Sequence, residues 1–233
     1  MRTDIALTIG AGVAGFALCV YVLTYATTRH EPVEWHDGDL VFQTVTTLPN
    51  KMILDATASP LTNVGIVAVT PDGPMVIEAG DKVDEISMRS FVAKGKDGTI
   101  AAYRVKTLTP EQGSQVVAAA RRYLGKPYDV FFDKGSDNIY SGELVRLAFS
   151  DIGLTLGQME RLEKLTQKQP GFEALYDQRW QSLFDCRKRS YDHDTCWAYV
   201  LKQQLVTPAS IAADEHVSLV YSDMPTVQAL RPE

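Results

Sequence analysis

The chain has 233 residues, enough for one globular domain plus an extra segment, and its 45% hydrophobic and 22% charged content excludes wholesale disorder. The net charge of -6 argues against a nucleic-acid partner, because a mildly acidic surface does not attract phosphate backbones. Short basic clusters at Arg121-Arg122 and Arg187-Lys188-Arg189 read as solvated surface.

The first distinct element follows a short tail, residues 1–4. It runs from Ile5 to Ala26, 22 residues with no charge. At about 1.5 Å per helical residue it would reach roughly 33 Å, enough to cross a bilayer core. No polar face interrupts it, and Tyr21 and Tyr25 sit near one end as interfacial aromatics do. It is expected to be an uncleaved transmembrane anchor. A cleaved signal peptide is the alternative, but Thr24-Tyr25-Ala26 is a poor cleavage site. Residues 27–37 then form a linker. The domain, residues 38–233, is expected to be periplasmic or otherwise extracytoplasmic.

Within the domain, strands are expected at Asp39 to Thr44, Asn63 to Thr70, Met75 to Ala79, Ile100 to Val105 and Val217 to Tyr221. The run Pro71-Asp72-Gly73-Pro74 marks a hairpin turn that puts Asn63 and Glu78 near one end of neighbouring strands. A short helix is expected within 50–60. Thr109 caps another that runs from Pro110 to about Leu124 and stops at Gly125. Further helices are expected from Ser141 to Gly153 and over 157–168, 172–182 and 208–213. The grouping is α+β. Cys186 and Cys196 either close a disulfide or remain free thiols. His193 lies between them, but four metal ligands are not evident, so no metal and no cofactor are assigned.

Several segments carry a family resemblance through their order and spacing. They are GDLVFQ (38–43), SPLTNVGIV (59–67), MVIEA (75–79), AAYRV (101–105), GKPYD (125–129), IYSGELV (139–145) and VTPASIAAD (206–214). Over about residues 38–222 the chain resembles the circularly permuted branch of the NlpC-type papain-like hydrolases, often called YiiX/YebB-like. The resemblance implies a papain-like domain with a central antiparallel sheet and packed helices. It also implies a nucleophilic Cys at the start of the core helix, a His base on the first hairpin and a polar residue that orients the His.

Residue by residue, the Cys position holds Ser141, the His position Asn63 and the polar position Glu78. Tyr128, and Tyr140 beside Ser141, fall where substrate would be bound. Gly142 departs from the family pattern, where Ser commonly follows the Cys.

A helix N-terminus favours a thiolate through its free N–H groups and dipole. A serine hydroxyl ionises far less readily and depends more on a base, and an asparagine amide cannot serve as one. Ser141 also reads as a plain helix N-cap and Asn63 as a strand-entry residue bonding backbone.

Three functions stay open. One is a catalytically impaired relative binding a cell-wall peptide, lipid or protein ligand in the former active-site cleft. Another is an active amidase, peptidase or lipid acyl hydrolase using Ser141. The third is a structural subunit of an envelope complex.

Overall fold

The computed structural model describes residues 33–133, 136–166 and 170–228. The expected membrane anchor, residues 5–26, lies outside the described residues. Among the described residues no helix is long and apolar enough to cross a membrane. The chain divides into two units, 1–34 and Trp35–Glu233, and the architecture below is that of the second.

The β-branched run that predicts a strand forms one over the expected span: β2 is Asn63–Thr70. It sits between β1 (Leu40–Gln43) and β3 (Gly73–Ala79), both antiparallel to it. The hairpin turn is tighter than expected, and β3 takes in Gly73 and Pro74. The next strand, β4 (Val83–Ser87), pairs with β3 from Ala79 back to Met75. Pro74 therefore lies beyond that pairing, where its missing N–H is tolerated. With β5 (Ala101–Val105) and the C-terminal β8 (Val217–Ser222), the sheet has the order β4-β3-β2-β1-β5-β8.

Helices cover both faces. The alternation of strand side chains sends Leu40, Phe42, Val64, Ile66 and Ile77 into the larger core. There they meet α3 (Pro110–Arg121) and α4 (Ser141–Ser150) through Val116, Ala120, Leu144, Val145 and Ala148. Val41, Val67 and Val76 point the other way, onto Phe91 of α2 (Met88–Lys94). The first helix, α1, is Leu48–Thr57.

Thr109 caps α3 as expected, its hydroxyl accepting the Gln112 N–H while the Gln112 side chain accepts the Thr109 N–H in return. The helix ends at Arg121, three residues earlier than expected. The chain then turns through Gly125, whose φ of 85° suits glycine.

The segment after α4 holds α5 (Leu162–Thr166), α6 (Pro170–Arg179), α7 (Phe184–Lys188) and α8 (His193–Leu201), whose buried residues join the larger core. The expected helix over 157–168 is corrected here. Its first part is β6 (Met159–Arg161), which pairs with β7 (Gln204–Val206) from the far end of this segment. Tertiary pairing decides this segment over local propensity. Cys186 and Cys196 are joined in a disulfide between α7 and α8, which closes the choice left open above. The chain returns to the main sheet through α9 (Pro208–Ala212) and ends its described part in α10 (Pro225–Gln228).

Asp39, in the GDLVFQ segment, is a structural residue. It is 1% exposed and accepts two 2.7 Å hydrogen bonds from the Arg104 guanidinium. Its carboxylate also accepts the His36 N–H, so it ties the entry of β1 to β5.

Candidate active-site cleft

Three strand residues assemble the polar end of the sheet. Gln43, the last residue of β1, is the cross-strand partner of Asn63, the first of β2. Glu78 follows on β3, opposite Gly65. The Asn63 amide Nδ2 donates to Glu78 Oε2 at 3.1 Å. The other carboxylate oxygen accepts from Lys94 Nζ at 2.6 Å. Glu78 is 2% exposed, so this half-exposed ammonium supplies the countercharge that a buried carboxylate needs. Lys94 is the last residue of α2, an element not foreseen in the sequence.

These side chains form one wall of a cleft of about 610 Å³, lined also by Val45, Thr47, Asn50, Asp81, Tyr128 and Val130. Tyr128 is held by backbone pairing on two sides. Its N–H donates to Asp81 O at 3.0 Å, while the Ile139 N–H donates to Pro127 O at 2.9 Å. The segment carrying Tyr128 is thus pinned between the β3–β4 connection and the residues that lead into α4. Burial pushes the Tyr128 phenol above its ordinary pKa, so it stays protonated and can donate.

Gln43 is anomalous. It is fully buried, and neither Oε1 nor Nε2 has a partner among the described residues. An unsatisfied buried polar group costs about 1–3 kcal/mol. No sequence signal marked it, because the cost arises only from what does not surround it.

A family model described as "Permuted papain-like amidase enzyme, YaeF/YiiX, C92 family" matches residues 34–221. The chain belongs to this family. The uncharacterized protein YiiX of Escherichia coli strain K12 is 29% identical over 145 residues, spanning 61% of this chain and 72% of that protein. A crystal structure of YiiX from Escherichia coli O157:H7, described as a metalloprotein, aligns with a TM-score of 0.68 at 25% identity. It covers 82% of this chain and 98% of that one. Among the described residues of the present chain, no three His, Cys, Asp or Glu side chains gather in a way that could hold a metal ion.

The permuted papain-like amidase fold brings Asn63, Glu78 and Tyr128 to one cleft. Ser141 and Tyr140 are not among the residues that line it. Ser141 is 4% exposed and is the first residue of α4. The N-cap is Tyr140, with no side-chain cap bond, so the reading of Ser141 as an N-cap is corrected. The Tyr140 hydroxyl accepts the Val206 N–H at 3.1 Å, and its ring meets Phe132 edge-on at 4.9 Å. Those contacts fix the start of α4 against β7.

The departure at Gly142 has a steric reason. A Cβ there would lie 2.3 Å from the Val206 carbonyl oxygen, so no other residue fits without moving β7.

Among the described residues, the histidine side chains make their hydrogen bonds or line clefts elsewhere than at Ser141. His193 bonds Asp177 at 2.9 Å and Asp194 at 3.0 Å, and His216 bonds Asp214 at 2.7 Å. His36 lines a different cleft with Asp39 and Arg104.

On the other side of Tyr128 lies a second cleft of about 610 Å³. Its buried Asp129 is raised to about 6, chiefly by desolvation, although its carboxylate accepts the Phe131 N–H at 3.1 Å.

Proposed function

We propose that this chain is a catalytically impaired, membrane-anchored member of the permuted papain-like amidase family, and that its cleft binds a cell-wall peptide, lipid or protein ligand. The observation that carries the reading is the Asn63–Glu78–Lys94 chain of hydrogen bonds. At the position where the family resemblance expects a histidine base, an amide that does not titrate donates to the carboxylate. Lys94 Nζ donates to the remaining carboxylate oxygen. Losing both the base and the thiol removes about 10⁴-fold or more of the rate in comparable nucleophile–base units.

Hydrolysis of peptidoglycan fragments and of acyl esters by the purified full chain is the test. No turnover above background is expected, and Ser141→Ala is expected to change nothing. Turnover that disappears in Ser141→Ala would overturn the reading in favour of an active serine amidase or acyl hydrolase.

The anchor rests on the apolar run of residues 5–26. An extracytoplasmic domain accords with the Cys186–Cys196 disulfide, since such bonds persist in oxidising compartments. Alkaline extraction is expected to leave the full chain in the membrane pellet; recovery in the supernatant would refute the anchor.

A further inference from the structure

We infer that the cleft seats a peptide in extended conformation, and that Gln43 holds it by pairing with the N–H and C=O of a single residue. This rests on the reading that the cleft binds a ligand, and it names the ligand's chemistry.

The argument starts from what Gln43 lacks. Its amide needs an acceptor for Nε2 and a donor for Oε1 at the same time. A carboxylate supplies acceptors alone, an ammonium donors alone, and a lipid tail neither. One residue of an extended chain turns its N–H and its C=O to the same side, the arrangement strands use to exchange two bonds with a neighbour.

The rest of the wall suits the same occupant. The Glu78 charge is already met by Lys94, which leaves the exposed Asp81 as the other acidic side chain of the lining. Thr47, Asn50 and Asn63 supply short neutral polar groups, and Val45, Val130 and Tyr128 supply apolar contact.

In the free chain the Gln43 amide lies against Gly95, where a Cβ would come within 2.5 Å of Oε1. No hydrogen bond of its own keeps it there. Turning into the cleft that it walls exchanges an unsatisfied amide for a bonded one, which makes ligand binding the event that completes this part of the core.

The experiment titrates the ¹⁵N-labelled full chain with three probes. They are N-acetyl-trialanine N-methylamide, its depsipeptide with the central N–H replaced by an ester oxygen, and chitotriose. The peptide is expected to shift the side-chain NH₂ resonances of Gln43 and Asn63. The depsipeptide, and the peptide against Gln43→Met, are each expected to bind about 10-fold more weakly. Gln43→Met is expected to keep or raise Tm, because it removes two unsatisfied buried atoms.

Any of four results would overturn the inference. The peptide could shift Asn63 but not Gln43, with Gln43→Met binding unchanged. Chitotriose could bind where the peptide does not. Gln43→Met could lower Tm and leave affinity unaltered, as a role confined to a buried water would require. The first two leave ligand binding in the cleft standing. Silence from every probe overturns the inference, while the turnover assay still decides separately whether catalysis is lost.

Discussion

Asn63→His combined with Ser141→Cys is expected to raise hydrolysis of p-nitrophenyl acetate by at least about 10²-fold over the unaltered chain, the lower end of what a positioned base contributes. Glu78 already accepts a hydrogen bond from the side chain at position 63, so an imidazole there would find its orienting carboxylate in place. Position 141 opens α4, where free N–H groups and the helix dipole lower a thiol's pKa. Each single substitution is expected to give far less than the pair, since nucleophile and base act as a unit. Adding Glu78→Gln to the pair should remove most of the gain. Lys94 tempers the effect by sharing Glu78, so the introduced imidazole is less strongly cationised than beside a free carboxylate. Rates and iodoacetamide labelling at position 141, measured across pH, check the prediction. No gain in turnover together with an unreactive thiol would mean that α4 no longer presents this position to substrate.

Asp39→Ala is expected to destabilise the domain by about 3–5 kcal/mol, the cost of breaking a buried, hydrogen-bonded ion pair. That is a large part of the roughly 5–15 kcal/mol that holds a typical domain together. The carboxylate takes two bonds from Arg104 and one from the His36 N–H while almost fully buried. Its removal breaks both hydrogen bonds that tie the Arg104 guanidinium of β5 to the entry of β1. Urea unfolding followed by circular dichroism measures the loss. A midpoint shift worth less than about 1 kcal/mol would put the pair in the class of solvent-screened surface bridges.

Much of the scaffold was legible because local chemistry and tertiary structure agree. The β-branched run 63–70 became β2 over the same residues, and the Thr109–Gln112 pattern became a reciprocal cap. The proximity of Asn63 and Glu78 followed from hairpin register, which a short turn enforces. Where the two disagree, the reading failed. Residues 159–161 look helical in isolation and are a strand because 204–206 offer them a ladder. The span 83–94, with β4 and α2, carries too mixed a polarity for a clear period, so Lys94 could not be assigned to the site.

By itself, then, the sequence determined the family scaffold, and the proposed placing of Ser141 at the thiol position, Asn63 at the base position and Glu78 at the orienting position rests on the resemblance it carries. Covalent chemistry alone decides that an amide is no base. The tertiary structure decided what those residues do now. It gave Glu78 a cation from Lys94 at the end of α2, left Ser141 buried at the start of α4, and left the Gln43 amide without a partner among the described residues. Each of these depends on which atoms meet, or fail to meet, once distant segments pack together. No local pattern carries that information.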